Sequence, residues 1–96
     1  MNVAITEKQL ESQVKDLAKM FNWMYYHTWR SIHSPAGFPD CVMIRDDRIV
    51  VAELKSERGK VTPQQEGWLK AFKATGMAEC YLWRPSDFDE IVRILT

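Results

Sequence analysis

The sequence predicts an α/β fold in which helices flank a mixed central sheet, in the element order α-β-β-β-α-β-α. Three observations lead to this prediction: a helical apolar repeat opens the chain, short apolar runs fill its middle, and a capped helix precedes the last strand. The 96 residues, 46% of them hydrophobic, are enough for one compact core. We therefore expect residues 1–96 to form a single domain.

The first helix is predicted over residues 6–21. Its apolar side chains recur at the spacing of one buried face: Leu10, Val14, Leu17, Ala18 and Phe21. Thr6 is a suitable N-cap, and Gln9, three residues later, suits a capping box. Glu7 lies in the first turn, where a negative charge favours the helix dipole.

Three strands are expected in the middle of the chain. The aromatic run at residues 23–29 favours a strand, whereas the Ser, Pro and Gly residues of 31–39 indicate a loop. Two apolar runs, 41–44 and 49–54, flank the charged residues 45–48 and together predict an antiparallel hairpin. These two runs would be the central strands of the sheet.

The second half of the chain adds two helices and a strand. Thr62, Pro63 and Gln65 have the order of a cap, a first helical residue and a capping-box partner, so a helix is predicted from Pro63 to about Gly76. We expect this helix to bury its large apolar side chains, Trp68, Leu69 and Phe72. A strand at 79–83 follows, and then a short helix with one apolar side: Phe88, Ile91, Val92 and Leu95.

Charge and cysteine usage argue against several classes of protein. The formal net charge is zero, with 13 basic and 13 acidic residues, so the global balance does not indicate a nucleic-acid binder. Cys41 and Cys80 form no CxxC pair and no secretory signal precedes the first helix, so both are expected to be reduced. A zinc site made with His27 and His33 would have enough ligands, but the spacing matches no familiar zinc motif. No apolar run approaches the roughly 20 residues of a membrane span, and we expect a cytoplasmic protein.

Two charged residues lie at the end of the predicted strand at 49–54, one within it and one directly after it. Side chains alternate along a strand, so Glu53 and Lys55 share a face with Ile49 and Val51. A carboxylate and an ammonium at the end of a central strand are costly to bury unless they are paired, bound to a ligand or catalytic. A structural salt bridge would explain them, and so would an active site.

Asp40 offers a second carboxylate, because the hairpin could bring it beside Glu53. Two close carboxylates repel each other unless a hard divalent cation such as Mg²⁺ lies between them. Such an ion can polarise a phosphate and orient or activate water. Lys55 could then stabilise the negative charge of the transition state or help to deprotonate the attacking water, and the sequence leaves both roles open.

Three segments around these residues form an ordered set of motifs. They are Ser34-Pro35-Ala36-Gly37-Phe38-Pro39-Asp40, Val51-Ala52-Glu53-Leu54-Lys55-Ser56-Glu57-Arg58-Gly59-Lys60, and Thr62-Pro63-Gln64-Gln65 followed by Trp68-Leu69. Together they resemble the VRR-NUC family of the PD-(D/E)xK nucleases. The likeness runs from the first helix to Trp83-Arg84-Pro85-Ser86-Asp87, which is nearly the whole chain.

The resemblance implies a fold and an activity. The fold would be the restriction-endonuclease-like PD-(D/E)xK core, αβββαβ(α), in a stand-alone VRR-NUC domain of the viral or bacterial type. The activity would be Mg²⁺- or Mn²⁺-dependent hydrolysis of phosphodiester bonds in branched DNA, such as Holliday junctions, by a homodimer. Two other interpretations stay open: a DNA-binding or assembly module that does not cut, and a nuclease that prefers flaps, nicked duplex or RNA.

The resemblance also assigns roles to particular residues. Asp40 and Glu53 would bind the metal ion, and Lys55 would be the catalytic lysine. Gln65 would support the site from the second helix, in addition to its place in the capping box.

An acidic residue of the first helix is implied as a further metal ligand. Glu7 and Glu11 lie one turn apart, and both could face the site. We prefer Glu11, because it shares a stripe with Val14 and Ala18, whereas the helix dipole is enough to explain Glu7.

Other residues around the site have less specific roles. Cations on the flanking loops could hold the DNA backbone, although ordinary solvated surface would explain them equally well: Arg30, His33, Arg58 and Lys60. His27 is expected to be a strand residue near the site rather than a metal ligand, and Gly37 and Pro39 to shape the turn that presents Asp40. The tryptophans are expected to serve core or dimer packing, although one of them could stack against a base: Trp23, Trp29, Trp68 and Trp83.

Overall fold

The structure is a computed structural model that describes residues 4–29 and 33–96. In that part of the chain it contains four strands, three α-helices and a short 3-10 turn. Their bounds, in chain order, are α1 Glu7–Met20, β1 Met24–His27, β2 Cys41–Arg45, β3 Arg48–Leu54, α2 Pro63–Ala74, β4 Glu79–Trp83, the 3-10 turn Pro85–Asp87 and α3 Phe88–Leu95. The predicted α/β class and the predicted order of elements are confirmed.

The sheet is mixed, as predicted, with its strands in the order β1-β2-β3-β4. β1 and β2 pair antiparallel, as do β2 and β3, whereas β4 runs parallel to β3. Helix α2 is the crossover that a parallel pair requires. On β3, Ala52 lies opposite Cys41 and Glu53 lies opposite Leu82, so this strand has a neighbour on each side.

One face of the sheet packs against α1 and α3. Alternating residues of β2 and β3 supply that face, and the two helices turn their apolar stripes toward it. The buried cluster consists of Leu10, Val14, Leu17, Ala18, Trp23, Cys41, Met43, Val50, Ala52, Leu54, Trp83, Ile91, Ile94 and Leu95. Cys41 and the partly buried Cys80 are both free, as predicted. Within the described ranges, no helix is long and apolar enough to cross a membrane.

Both long helices begin where the sequence predicts. The hydroxyls of Thr6 and Thr62 accept hydrogen bonds from the backbone N–H groups of Gln9 and Gln65. The side chains of the two glutamines accept in return from the backbone N–H groups of the cap residues. These capping boxes fix the first turns of α1 and α2, and each cap is worth about 1 kcal/mol of stability.

Helix α2 contradicts one prediction. Trp68, Leu69 and Phe72 were expected to be buried, but α2 contains no buried residue. The helix packs mainly against β3 and β4, and its outer side has no second layer to bury it. Trp68 and Phe72 instead form a half-buried aromatic cluster with Phe38. Trp29, expected to serve core or dimer packing, is 80% exposed and lies outside the core.

Candidate active site

Asp40 and Glu53 meet where β2 begins and β3 ends. The register pairs Cys41 with Ala52, and continuing it by one residue sets Asp40 opposite Glu53. Oδ2 of Asp40 accepts a hydrogen bond from the backbone N–H of Leu54 at 2.7 Å, which holds this carboxylate against the end of β3. The hairpin therefore brings the two carboxylates together.

Glu53 is a buried carboxylate without a hydrogen-bond donor. Its side chain is 1% exposed, and among the described residues no donor reaches either of its oxygens. Burial and the negative charge of Asp40 raise the pKa of Glu53 to about 8, although the ammonium of Lys55 opposes this shift. Two ionised carboxylates cannot hydrogen-bond to each other, whereas protonated Glu53 can donate to Asp40. A buried carboxylate that has no hydrogen-bond donor requires either a proton or a cation.

Lys55 supplies a positive charge close to this pair. Its Nζ lies 3.7 Å from Oε2 of Glu53, and its side chain is 13% exposed. The backbone N–H of Lys55 donates to the carbonyl oxygen of Trp83 at 3.0 Å, so the end of β4 fixes the position from which the side chain extends. One ammonium does not balance the carboxylates of Asp40 and Glu53 when both are ionised.

Helix α1 contributes two more carboxylates to these surroundings. Partial burial and the negative charge of Asp40 raise the pKa of Glu7, although the ammonium of Lys55 opposes this shift. Glu11 lines the same cleft as Asp40, and its Oε1 lies 3.3 Å from Nε2 of His27. Both helix residues are therefore close to the predicted site, one turn apart on α1.

His27 connects α1 to the start of β2. Its Nε2 faces Glu11, and its Nδ1 lies 3.1 Å from the carbonyl oxygen of Asp40. Both ring nitrogens thus have oxygen partners within the protein. His27 lies at the end of β1 and holds the position of Asp40 relative to α1.

The turn that presents Asp40 is held from two sides. The Thr28 hydroxyl donates to the carbonyl of Pro39 at 2.6 Å, and the backbone N–H of Thr28 donates to the carbonyl of Asp40 at 2.8 Å. Gly37 has a φ of +97°, and a Cβ at this position would lie 2.5 Å from the carbonyl carbon of Gln64. The loop therefore packs against the first turn of α2 at a distance that only glycine permits.

Replacing Gly37 with alanine is expected to destabilise the protein by about 1–3 kcal/mol, because the added Cβ must displace the loop or α2. The displacement would also move Asp40. Gly67→Ala is the matched control, since a Cβ at Gly67 has nothing within 4 Å and alanine favours a helix. Urea unfolding measures the difference, and an unchanged midpoint for Gly37→Ala would contradict this account of the loop.

An open cleft of about 1140 Å³ begins at Asp40. The end of β1, the loop before β2 and the start of α2 supply most of its lining: Glu11, Tyr26, His27, Thr28, Trp29, Ser34, Pro35, Ala36, Gly37, Phe38, Asp40, Gln65 and Trp68. The Oε1 atom of Gln65 is engaged in the capping box, so its NH₂ group is the part that can donate into the cleft. Asp40, Glu11 and Gln65 thus surround one cavity.

Arg84, for which no role was predicted, holds the loop that follows Lys55. Its Nη1 donates to three carbonyl oxygens of that loop: Ser56 at 2.7 Å, Glu57 at 3.2 Å and Gly59 at 2.7 Å. The carboxylate of Glu57 accepts in turn from the backbone N–H of Ser86 at 3.0 Å. No sequence signal could reveal this role, because an isolated arginine does not indicate which carbonyls it reaches.

Replacing Arg84 with alanine is expected to lower the rate of any reaction at Lys55 roughly 10- to 100-fold, since the loop loses its anchor and the ammonium its fixed position. Trypsin should also cut after Arg58, within the released loop, faster than in the wild type. Arg93→Ala is the control, because Arg93 is an exposed arginine paired with Glu90 on its own helix. Equal trypsin cleavage of wild type and Arg84→Ala would contradict the anchoring role.

The cations expected to contact DNA lie on the two loops that border the site. Arg58 and Lys60 are exposed on the loop after Lys55, and His33 is exposed in the loop before β2. Arg30 lies outside the described residues. Arg58, Lys60 and His33 are therefore accessible at the protein surface.

The oxygens of Asp40 and Glu53 fit a hard divalent cation. Among the described residues, no group of three or more His, Cys, Asp or Glu side chains could hold a metal ion by itself, so the zinc site considered with Cys41 and Cys80 is not formed. Mg²⁺, however, is usually held by one or two carboxylates, and waters and substrate phosphates complete its shell. The unsatisfied oxygens of Glu53 beside Asp40 supply such a pair.

Comparisons with known proteins support this fold. No family model matches the chain, and no curated protein matches it. A solved structure described as a "VRR_NUC domain protein" superposes with a TM-score of 0.71 at 16% sequence identity, covering 97% of this chain and 87% of that chain. The mixed sheet with its helices is consistent with a PD-(D/E)xK core and with the resemblance found in the motifs. The chain has the fold of a VRR_NUC domain protein.

Proposed function

We propose that residues 1–96 form a VRR-NUC nuclease domain that hydrolyses phosphodiester bonds in DNA with Mg²⁺ or Mn²⁺ as cofactor. One observation carries the proposal: Glu53 is almost fully buried, finds no donor for its oxygens among the described residues and lies beside Asp40 and Lys55. This arrangement costs stability in the metal-free protein. A structural ion pair between Glu53 and Lys55 would gain nothing from a second carboxylate at Asp40.

The proposed roles follow from the chemistry of each group. Asp40 and Glu53 would hold the divalent ion, which when bound would polarise the phosphate and offset its charge. Glu11, the proposed third ligand, would have to leave His27 to join them. Lys55 would stabilise the charge that develops on the phosphate or hold the attacking water. Gln65 would donate to a phosphate oxygen or to that water. The reaction forms a P–O bond from water and breaks the P–O bond to the leaving sugar oxygen.

Glu7 is the alternative to Glu11 as the ligand from α1. The charge of Glu7 raises the pKa of Glu53, and the charge of Asp40 raises the pKa of Glu7, whereas Glu11 is already paired with His27. Loss of Mn²⁺ affinity in Glu7→Gln but not in Glu11→Gln would assign the role to Glu7.

We further propose a homodimer that acts on branched DNA such as Holliday junctions. Met24 and Ile44 lie opposite each other and are 75% and 43% exposed, so the outer face of the β1–β2 hairpin offers apolar surface to a second copy. A two-fold interface would duplicate the site and allow paired cuts in a symmetric junction. A monomer in sedimentation at working concentration would contradict the dimer.

The backbone of the DNA would be held by the loops beside the cleft. Their cations give contacts that do not depend on sequence: Arg30, His33, Arg58 and Lys60. Because these contacts neutralise phosphates, DNA affinity should fall steeply as salt concentration rises, and affinity that is indifferent to salt would count against them.

Side-by-side cleavage of labelled substrates tests the proposed activity. Four-way junction, flap, nicked duplex, linear duplex and RNA are compared with Mg²⁺, Mn²⁺ or EDTA. The expected result is that the protein cleaves the junction only when Mg²⁺ or Mn²⁺ is present. Preferred cleavage of a flap or of RNA would keep the nuclease and change its substrate. A folded protein that binds DNA and cuts none of these would instead be a non-cleaving module with the same fold.

A further inference from the structure

The cleft beside Asp40 has an aromatic wall that the proposed hydrolysis does not use. Tyr26 and Trp29 line it and are 62% and 80% exposed, respectively. His27 lies opposite Cys41 in the β1–β2 register, so the end of β1 and the start of β2 border the cleft together. Two large exposed rings thus lie beside a candidate catalytic carboxylate.

The indole of Trp29 has an open face. Its ring meets the ring of His27 in a nearly perpendicular contact, with an interplanar angle of 88° and centroids 6.3 Å apart. A perpendicular contact covers at most one face or one edge of a ring. Because Trp29 is also 80% exposed, the remaining face is available to a flat ligand.

The charge of the lining indicates which part of a nucleic acid this wall would accept. The described residues that line the cleft include the carboxylates Glu11 and Asp40 but no Lys or Arg. Among the described residues, the aromatic wall therefore offers no Lys or Arg side chain to a phosphate backbone. A base is uncharged and planar, and stacking on an aromatic side chain is favourable for every base.

We propose that Trp29 stacks against an unpaired base of the substrate next to the bond to be cut. The proposal rests on the function proposed above and names its substrate class: nucleic acid with unpaired nucleotides, such as a flap, an open branch point or a single strand. A continuous duplex keeps its bases stacked on each other and cannot offer one to Trp29 without the cost of unstacking it. Trp29 would therefore favour branched substrates in which a base at the branch point is free over a continuous duplex.

Binding to matched substrates tests the role of Trp29. Wild type, Trp29→Ala and Trp29→Phe are titrated with a labelled flap and with a continuous duplex of the same length, in Ca²⁺ so that cleavage does not interfere. The expected result is a 5- to 150-fold loss of flap affinity in Trp29→Ala, on the order of one stacked base, with duplex affinity changed less than about 2-fold. Trp29→Phe should keep most of the flap affinity, because its ring still stacks.

A fluorescent base reports the contact directly. With 2-aminopurine at the unpaired position, wild type should quench the emission on binding and Trp29→Ala should not. Met77→Ala is the control, because Met77 is 73% exposed and does not line the cleft.

Two results would overturn the proposal. One is that Trp29→Ala loses affinity equally for flap and duplex, or loses none for either. The other is a dimer in the wild type that becomes a monomer in Trp29→Ala, which would make the wall an interface between copies. Two outcomes separate this proposal from the proposed nuclease. Cleavage of flaps that does not depend on Trp29 would rule out the stacking role alone. Stacking on Trp29 without any cleavage would rule out the nuclease alone.

Discussion

Replacing Glu53 with glutamine is expected to abolish metal-dependent cleavage and to raise the melting temperature of the metal-free protein at pH 9. The fold raises the pKa of this carboxyl from 4.5 to about 8, so the folded protein binds its proton more tightly than the unfolded chain does. The stability that this group contributes is therefore complete below about pH 4.5 and is lost as the pH rises through about 8. Glutamine stays neutral and can donate to Asp40, which should gain roughly 1–3 kcal/mol at pH 9.

Melting curves with and without Mn²⁺ measure both parts of this prediction. Metal should stabilise the wild type by about 3 kcal/mol when its concentration is 100 times the dissociation constant, and it should stabilise Glu53→Gln much less. Glu66→Gln is the control, because Glu66 is exposed on α2 and paired with Lys70. A metal-free Glu53→Gln that melts below wild type at pH 9 would show that the buried carboxylate is satisfied in some other way.

Replacing Lys55 with methionine is expected to lower the cleavage rate by about 10²- to 10⁴-fold with little change in DNA affinity. Methionine keeps most of the volume of this largely buried side chain and removes the charge that would stabilise the phosphate or hold the water. Single-turnover cleavage at saturating protein measures the rate, and binding in Ca²⁺ measures the affinity.

Lys70→Met is the control for this experiment, because Lys70 is exposed on α2 and its side chain is paired with Glu66. A rate of Lys55→Met within threefold of the wild type would remove Lys55 from the chemistry. Loss of affinity in proportion to the rate would assign it to DNA binding instead.

Much of the fold could be predicted from local signals. The capping boxes at Thr6 and Thr62 define where α1 and α2 begin, because each satisfies backbone groups that a helix start leaves without partners. The hairpin of β2 and β3 follows from two apolar runs around a polar turn, with Asp46 in the left-handed region at a φ of 54°. These features depend on neighbours in sequence, and for that reason the sequence is sufficient.

The exposure of α2 could not be predicted in the same way. An apolar stripe predicts a buried helix only if another layer covers it, and the sequence does not indicate how many layers the domain has. Trp68 and Phe72 therefore occupy a half-buried surface beside Phe38. The exposure of Trp29 has a similar origin, since the strand that its aromatic neighbours favour ends at His27.

The candidate site could likewise be predicted only in part. Strand alternation and the hairpin bring Asp40, Glu53 and Lys55 together, and both steps can be derived from sequence. The contacts of Glu11 with His27 and of Arg84 with the loop after Lys55 join elements far apart in the chain. Only the packed structure reveals such contacts.

Cleavage of a labelled four-way junction by wild type and Asp40→Asn, with Mg²⁺ or EDTA, shows whether Asp40 and Glu53 form a metal-dependent nuclease site. In the wild type the N–H of Leu54 donates a hydrogen bond to the carboxylate of Asp40. Asparagine keeps a side-chain oxygen that can accept this bond, so the variant should fold. We expect cleavage by the wild type with Mg²⁺, none with EDTA, and a loss of at least about 100-fold in Asp40→Asn. Cleavage that persists in EDTA, or that is equal in the variant, would contradict a metal-dependent nuclease site at Asp40 and Glu53.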